Sequence, residues 1–348
     1  MSEHSTAVAD ASAALFWSVA NVLLFACAMR LGRRLFPTDD ALPALLHALI
    51  LSITVLVVVV TGLGALGLLY PLLVVGTVLV GSAVGLRYLR RPRFDAGVTD
   101  PPVGACVPAV GSGWLLLWAA VFCFLLAHVV VSGLTTFPTD VDSLTYHLPL
   151  IRHWLQAHSL YAPDGSHWSF PGNLEVVGLW VVCPFSGDFL VPLTNFAFAA
   201  VLALATAELA RSLRLAPVLC HAVGLASVAN FIVFRQLLDA ENDVAAVALF
   251  TAGLAYGLRH LRDGRQPDLV MAGVCCGLLC GVKYYALGYS LVVLGVVAGS
   301  LWRLAGWRSA ARAVAVAVPA VALLSGYWYV RNLIVSGTPV YPIGAGSA

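Results

Sequence analysis

Between Ala41 and Leu86 the chain contains no Asp, Glu, Lys or Arg. As a single α-helix rising 1.5 Å per residue, this stretch would run to about 70 Å, more than twice the hydrocarbon thickness of a bilayer. It therefore reads as two membrane-crossing helices folded back on each other, with Gly62-Leu63-Gly64 as the turn. The remainder of the chain follows suit. Of its 348 residues, 60% are hydrophobic and only 10% are charged, against about 25% charged in an ordinary soluble domain. A water-soluble fold is excluded, and the fold class is an all-α polytopic membrane protein. The net charge of +2 gives no electrostatic footprint for nucleic acid.

Apolar runs bounded by charges or turn residues predict about ten spans. They fall near Ala11–Met29, Ala41–Thr61, Ala65–Leu86, Trp114–Leu134, Asp188–Ala210, Ala216–Phe234, Val244–Leu258, Leu269–Gly281, Tyr285–Leu301 and Ala313–Val330. Two segments result: an N-terminal three-helix membrane segment with a basic loop over residues 1–112, and a larger transmembrane module over 113–348. The residues before the first run include Glu3 and Asp10 but no Lys or Arg, so no cleavable signal peptide is expected.

The few charges set an orientation. Fifteen of the nineteen basic residues, from Arg30 to Arg312, fall on one face once the spans alternate. By the positive-inside rule that face is cytoplasmic, and the N-terminus lies on the outer (periplasmic or extracellular) face of the cell membrane. The assignment requires that Asn173 to Phe185 does not cross, so this stretch is expected to form a short helix at the interface. Four cations break the bias: Arg152, Arg235, Arg331 and Lys283, the chain's only lysine. They share the outer face with Asp140, Asp142, Asp164, Glu175, Asp188, Asp239, Glu241 and Asp243.

Most of the eight cysteines lie within apolar runs and read as small hydrophobes. Cys276 and Cys280 have helical i, i+4 spacing but no His or carboxylate nearby, so helix packing is the reading and no resident metal is expected. The one long polar segment, Thr135–Asn173, holds four histidines (147, 153, 158 and 167) whose spacings match no ligand motif. A divalent metal is the minor alternative there. From Asp142, the residues Leu144, Leu148, Ile151 and Leu155 recur at helical spacing beside Trp154, predicting an amphipathic helix on the membrane surface, kinked or delayed by Pro149. Such a loop sets carboxylates just outside the hydrocarbon, within reach of both a lipid headgroup and an aqueous substrate. Sugar transfer from a lipid phosphate needs this placement. A carboxylate takes the acceptor's proton, and positioned cations stabilise the departing phosphate.

The segments FPTDVDSLTYHLPLIRHWLQAHSLY, FPGNLEVVGLW and SGDFL resemble the first outer loop of bacterial GT-C glycosyltransferases, of the protein-mannosyltransferase and lipid A aminoarabinose-transferase kind. GVKYYALG resembles that family's lysine-containing turn, and GYWYVRNLIVSGTPVYPIG is similar to its WYxRNxxxxGNPxYP stretch. The resemblance covers about Trp114 to the C-terminus. It implies a GT-C-like core and an enzyme that moves a sugar from a polyprenyl-phosphate donor to a glycan, lipid or protein acceptor at the outer face, with inversion and without a resident cofactor. By motif, Asp142 takes the place of the family's catalytic base. Ser143 stands where many members have a second acid, which makes Asp140 the candidate second carboxylate. Lys283 and Arg331 match positions that grip lipid phosphate, and Tyr146, His147, Arg152, Glu175, Glu241 and Asp243 are the further substrate-binding candidates. The chain ends soon after Pro342, where such relatives continue through more spans, so it reads as a shortened form. Two other classes stay open. A transporter or flippase of lipid-linked sugars would place ionisable groups near the bilayer midplane and show internal repeats. A non-catalytic subunit of a cell-envelope glycan assembly needs neither.

Overall fold

The computed structural model describes residues 3–38, 40–89, 112–165 and 167–343. Arg90, Arg91, Arg93 and Cys106, which enter the reading above, lie outside the described residues. Thirteen α-helices follow one another among the described residues. They are α1 (Glu3–Leu35), α2 (Ala41–Ala65), α3 (Pro71–Tyr88), α4 (Ser112–Thr135), α5 (Leu148–Ala157), α6 (Asn173–Val182), α7 (Leu193–Ser212), α8 (Pro217–Val228), α9 (Phe231–Gln236), α10 (Asp243–Asp263), α11 (Gln266–Cys280), α12 (Tyr285–Ala305) and α13 (Trp307–Ser336). Eight of them (α1 to α4, α7, α10, α12 and α13) are long and apolar enough to cross a bilayer.

Two expected spans are shorter. Ala216–Phe234 divides into α8, of 12 residues, and α9, of 6, where Asn230 leaves helical geometry and caps α9 by accepting from the Val233 N–H. Leu269–Gly281 corresponds to α11, of only 15 residues, which ends at Cys280 with Gly281 as its C-cap. The turn between α2 and α3 comes later than Gly62–Gly64. The helix runs on to Ala65, and Pro71 then starts α3 with the fixed φ that suits a first turn.

The bundle has two polar ends, identified by which residues touch. At one, Arg30 and Arg34 of α1 donate to the Leu86 and Leu89 carbonyls at the end of α3. There too Arg211 of α7 meets Asp40, the N-cap of α2, at 2.7 Å, and Arg259 of α10 meets Asp268 of α11 at 3.1 Å and Glu208 of α7 at 3.7 Å. Glu208, Arg259 and Asp268 are all buried, so this node clamps α7, α10 and α11 from within. At the other end, the α2–α3 turn is stitched to the segment after α5. Leu69 N–H donates to the His158 carbonyl, and Leu160 N–H to that of Gly64.

The helix expected from Asp142 is present but starts one turn later, as α5 at Leu148 next to Pro149, and its apolar stripe differs in phase from the expected one. Pro149 has no N–H and its ring crowds the carbonyl one turn back, and the chain accommodates it by widening the turn Ser143–His147, where Leu148 N–H reaches the Ser143 carbonyl five residues away. The extra residue shifts the phase of the apolar stripe. Leu144 is left exposed, whereas Leu148, Leu150, Ile151 and Trp154 are buried. The short helix expected at the interface, α6, is likewise covered by protein. Every one of its residues is buried, and it packs against α2, α5 and α7.

Candidate functional site

The loop end draws together five stretches remote in sequence: 139–147, 175, 235–243, 283–285 and 331–332. Asn173 anchors the framework. Its side-chain amide donates to the Leu278 and Leu324 carbonyls, at 3.0 Å each, and its Oδ1 accepts from Trp328 Nε1 at 2.9 Å. The first turn of α6 is thereby pinned to α11 and α13. Gly281 is required beside it, since a Cβ there would overlap the Asn173 amide. A second hinge is Asn195 of α7, whose amide reaches the carbonyls of Gln236, Asp239 and Glu241 at 2.8 to 2.9 Å. Buried Asp239 then accepts from the backbone N–H groups of Thr139 and Asp140. The loop bearing Asp140 is thus held through Asp239 to the segment bearing Glu241.

On this frame Lys283 donates to the Tyr146 hydroxyl at 3.0 Å, and that hydroxyl donates to Asp142 Oδ2 at 3.1 Å. Burial, followed by the charges of Asp142 and Glu175 and the hydrogen bond to Asp142, pushes the Tyr146 phenol well above its ordinary pKa, so it stays a donor. The ammonium lies 5.5 Å from the Tyr146 ring centre and 6.0 Å from that of Tyr285. Tyr285 in turn donates to Asp243 Oδ1 at 2.8 Å. The lysine is therefore flanked by two tyrosines, each bound to a carboxylate, and no carboxylate lies within ion-pair distance of its nitrogen among the described residues.

Asp140 and Asp142 are not equivalent. Asp142 is exposed, and Tyr146 Oη is the sole side-chain donor to it among the described residues. Asp140 Oδ2 accepts the backbone N–H groups of Asp142 and Ser143, and its Oδ1 lies 3.6 Å from Arg235. Burial pushes the Asp140 carboxyl up, but a hydrogen bond from Glu241, the two backbone N–H groups and Arg235 together hold it below the usual range. Glu241 moves the other way. Burial, then the hydrogen bond and charge of Asp140 and the charge of Asp243, push it up to about 7. Asp140 is thus a committed acceptor, whereas Asp142 keeps an oxygen open to a ligand.

Behind this row His147 Nδ1 and Glu175 Oε1 are 2.5 Å apart, with both side chains buried. His147 Nε2, Glu175 Oε2 and Thr194 Oγ1 have no hydrogen-bond partner among the described residues, and all three residues line one small void. Arg331 is buried between Trp168 and Trp328, its guanidinium 5.6 and 5.0 Å from their ring centres, and it donates to the Phe170 carbonyl at 3.2 Å. Its neighbour Asn332 donates to the hydroxyl of Tyr284, next to Lys283, at 2.7 Å. The two cations are so linked by their sequence neighbours. Arg152, half-buried on α5, makes no hydrogen bond or ion pair with this group among the described residues.

The four histidines of the loop disperse. His147 turns to Glu175 and His153 to Asp164 at 3.0 Å, while His158 stacks on Tyr70 and His167 packs at a tilt against Tyr146. No group of three or more His, Cys, Asp or Glu among the described residues is arranged to hold a metal. Sequence reasoning placed Asp239 on the outer face without giving it a role, and assigned none to Tyr285 or Asn195. Tyr285 had a signal, since it follows Lys283 by two residues at a helix start. Asp239 and Asn195 act through backbone groups, which leave no trace in a residue pattern. No protein-family model, curated protein or solved structure matches the chain.

Proposed function

We propose that this chain is a membrane glycosyltransferase of GT-C type, moving a sugar from a polyprenyl phosphate to an acceptor at the outer face. The observation that carries the reading is Lys283, a lysine with no carboxylate partner among the described residues, set one tyrosine away from the open carboxylate Asp142. A cation in this position has a charge to offer an anionic ligand. In this reading Asp142 removes the acceptor hydroxyl's proton as the acceptor oxygen bonds to the anomeric carbon. The bond from that carbon to the phosphate oxygen breaks, and its electron pair leaves with the phosphate. Lys283 and Arg331 stabilise the departing charge, a role that fixed donors perform without reorganisation. Asp140 orients the turn that presents Asp142. Tyr285 and Asp243 hold the far side of the ammonium.

The other reading, transport of the lipid-linked sugar, calls for ionisable groups near the bilayer midplane, and the buried Glu208–Arg259–Asp268 node lies instead at one polar end of the bundle. One experiment separates the two. Membranes containing the chain are supplied with a panel of mass-tagged polyprenyl-phosphate sugars. Transfer consumes the donor and releases free polyprenyl phosphate, whereas transport moves the donor across the bilayer intact. Recovery of every donor unchanged ends the transferase reading.

A further inference from the structure

The loop end has another concavity, of about 190 Å³, lined by none of the residues assigned above. One wall is the last turn of α4 and its continuation, from Ser132 to Pro138. The other is Asp188, Phe189 and Pro192, with Leu238 between them. Pro138 and Leu238 are the sequence neighbours of Thr139 and Asp239, so the cavity lies against the stitch that holds the Asp140 loop. The walls approach closely. A Cβ on Gly133 would collide with the Phe189 carbonyl, so only glycine permits this geometry.

The chemistry of the lining is one-sided. It contains no Lys, Arg or His. Asp188 is half-buried, and its carboxylate makes no hydrogen bond or ion pair among the described residues. The final carbonyls of α4 lack helical partners, and that end of the helix carries partial negative charge. Thr136 satisfies the Ser132 carbonyl with both its N–H and its hydroxyl, while those of Gly133, Leu134 and Thr135 receive no hydrogen bond from beyond the helix among the described residues. The Thr135 and Thr136 hydroxyls donate back into α4 and so present lone pairs. The nearby Arg235 is turned to Asp140. A ligand here must bring its own donors, and positive charge is favoured.

We infer that this cavity binds a primary ammonium group, whose three N–H donors would face Asp188 and the carbonyls that end α4. The inference goes beyond the transferase reading and stands without it. An ammonium can come from two sources, the ethanolamine headgroup of a bilayer lipid or an amino sugar in solution. The exposed Leu134 and Phe137 on the rim are compatible with either.

The test uses the full chain, purified in detergent and in nanodiscs. Calorimetric titration compares glucosamine with N-acetylglucosamine, which keeps the ring and loses the charge. Nanodisc unfolding compares phosphatidylethanolamine with phosphatidylcholine, which keeps the charge and loses the N–H donors. Preference for the ammonium member by at least about tenfold is expected in one pair, and Asp188→Asn should abolish it, a size appropriate to a lost charge-assisted hydrogen bond. Preference in the sugar pair assigns a soluble ligand, and preference in the lipid pair assigns a headgroup. Because the Asp188 carboxylate has no partner to lose among the described residues, its variant should unfold at the same temperature as the parent. Equal binding within both pairs, or an undiminished preference in well-folded Asp188→Asn, overturns the proposal.

Discussion

Lys283 Nζ and Tyr146 Oη, 137 positions apart in the chain, lie 3.0 Å from each other, and the same hydroxyl holds Asp142. Lysine, phenol and carboxylate therefore form a single row of donors ending on an acceptor. The order has a consequence for mutagenesis. Removing the ammonium leaves Tyr146 still bonded to Asp142, so the fold loses no buried counter-charge.

Lys283→Met is therefore expected to unfold at nearly the parent's temperature while its affinity for polyprenyl phosphate falls by about tenfold or more. Calorimetric titration of the detergent-purified protein measures the affinity and a thermal melt checks the fold. A marked fall in melting temperature would show that the lysine is a structural counter-ion after all.

Asp142→Asn preserves the hydrogen bond from Tyr146 but cannot accept a proton. Turnover of the donor should fall about 10²-fold or more, the range for a lost general base. Asp140→Asn should do less to turnover and more to stability, since Asp140 accepts the Asp142 and Ser143 N–H groups and meets Arg235. The reverse ranking in a single-turnover assay would transfer the base role to Asp140.

His147 and Glu175 are buried against each other, so truncating either strands its partner. Glu175→Ala and His147→Ala should each cost about 3–5 kcal/mol, and the double variant clearly less than their sum, because the second change removes a group already stranded. Equilibrium unfolding of the three variants gives the coupling directly. Additive costs would mean that the 2.5 Å contact contributes nothing.

Glu241 gives stability a pH dependence of definite sign. Its carboxyl is raised from the ordinary value of 4.5 to about 7 in the folded state. A raised acid binds its proton more tightly when folded, so its contribution is fully present below the unfolded value and is lost as pH rises through about 7. Above that, Asp140 and Glu241 face each other as two carboxylates, with Asp243 adding to the repulsion and Arg235 opposing it. Melting temperature should therefore decline between about pH 5 and pH 8. Glu241→Gln, which mimics the protonated form, should flatten that slope, whereas an unchanged slope would place the titrating group elsewhere.

The amino-acid sequence by itself determined the membrane class, most of the long helices and the location of the polar loop. These follow from properties that depend on neighbouring residues alone, namely apolar length, helical period and the spacing of arginines. It also marked Lys283 and Arg331, cations that break the arginine bias, while Asp142 was singled out among the outer-face acids only by its resemblance to a glycosyltransferase motif. What it could not supply was phase and partnership. The widened turn before Pro149 rotates the stripe that begins at Leu144, because one extra residue in a helix shifts every later side chain by about 100°. Burial of α6 depends on Asn173 meeting carbonyls in α11 and α13. The difference between the two loop aspartates is likewise tertiary. Asp140 is spoken for by backbone N–H groups, Arg235 and Glu241, and Asp142 is not, because electrostatic character depends on what approaches a carboxylate in space, which the order of residues along the chain does not record.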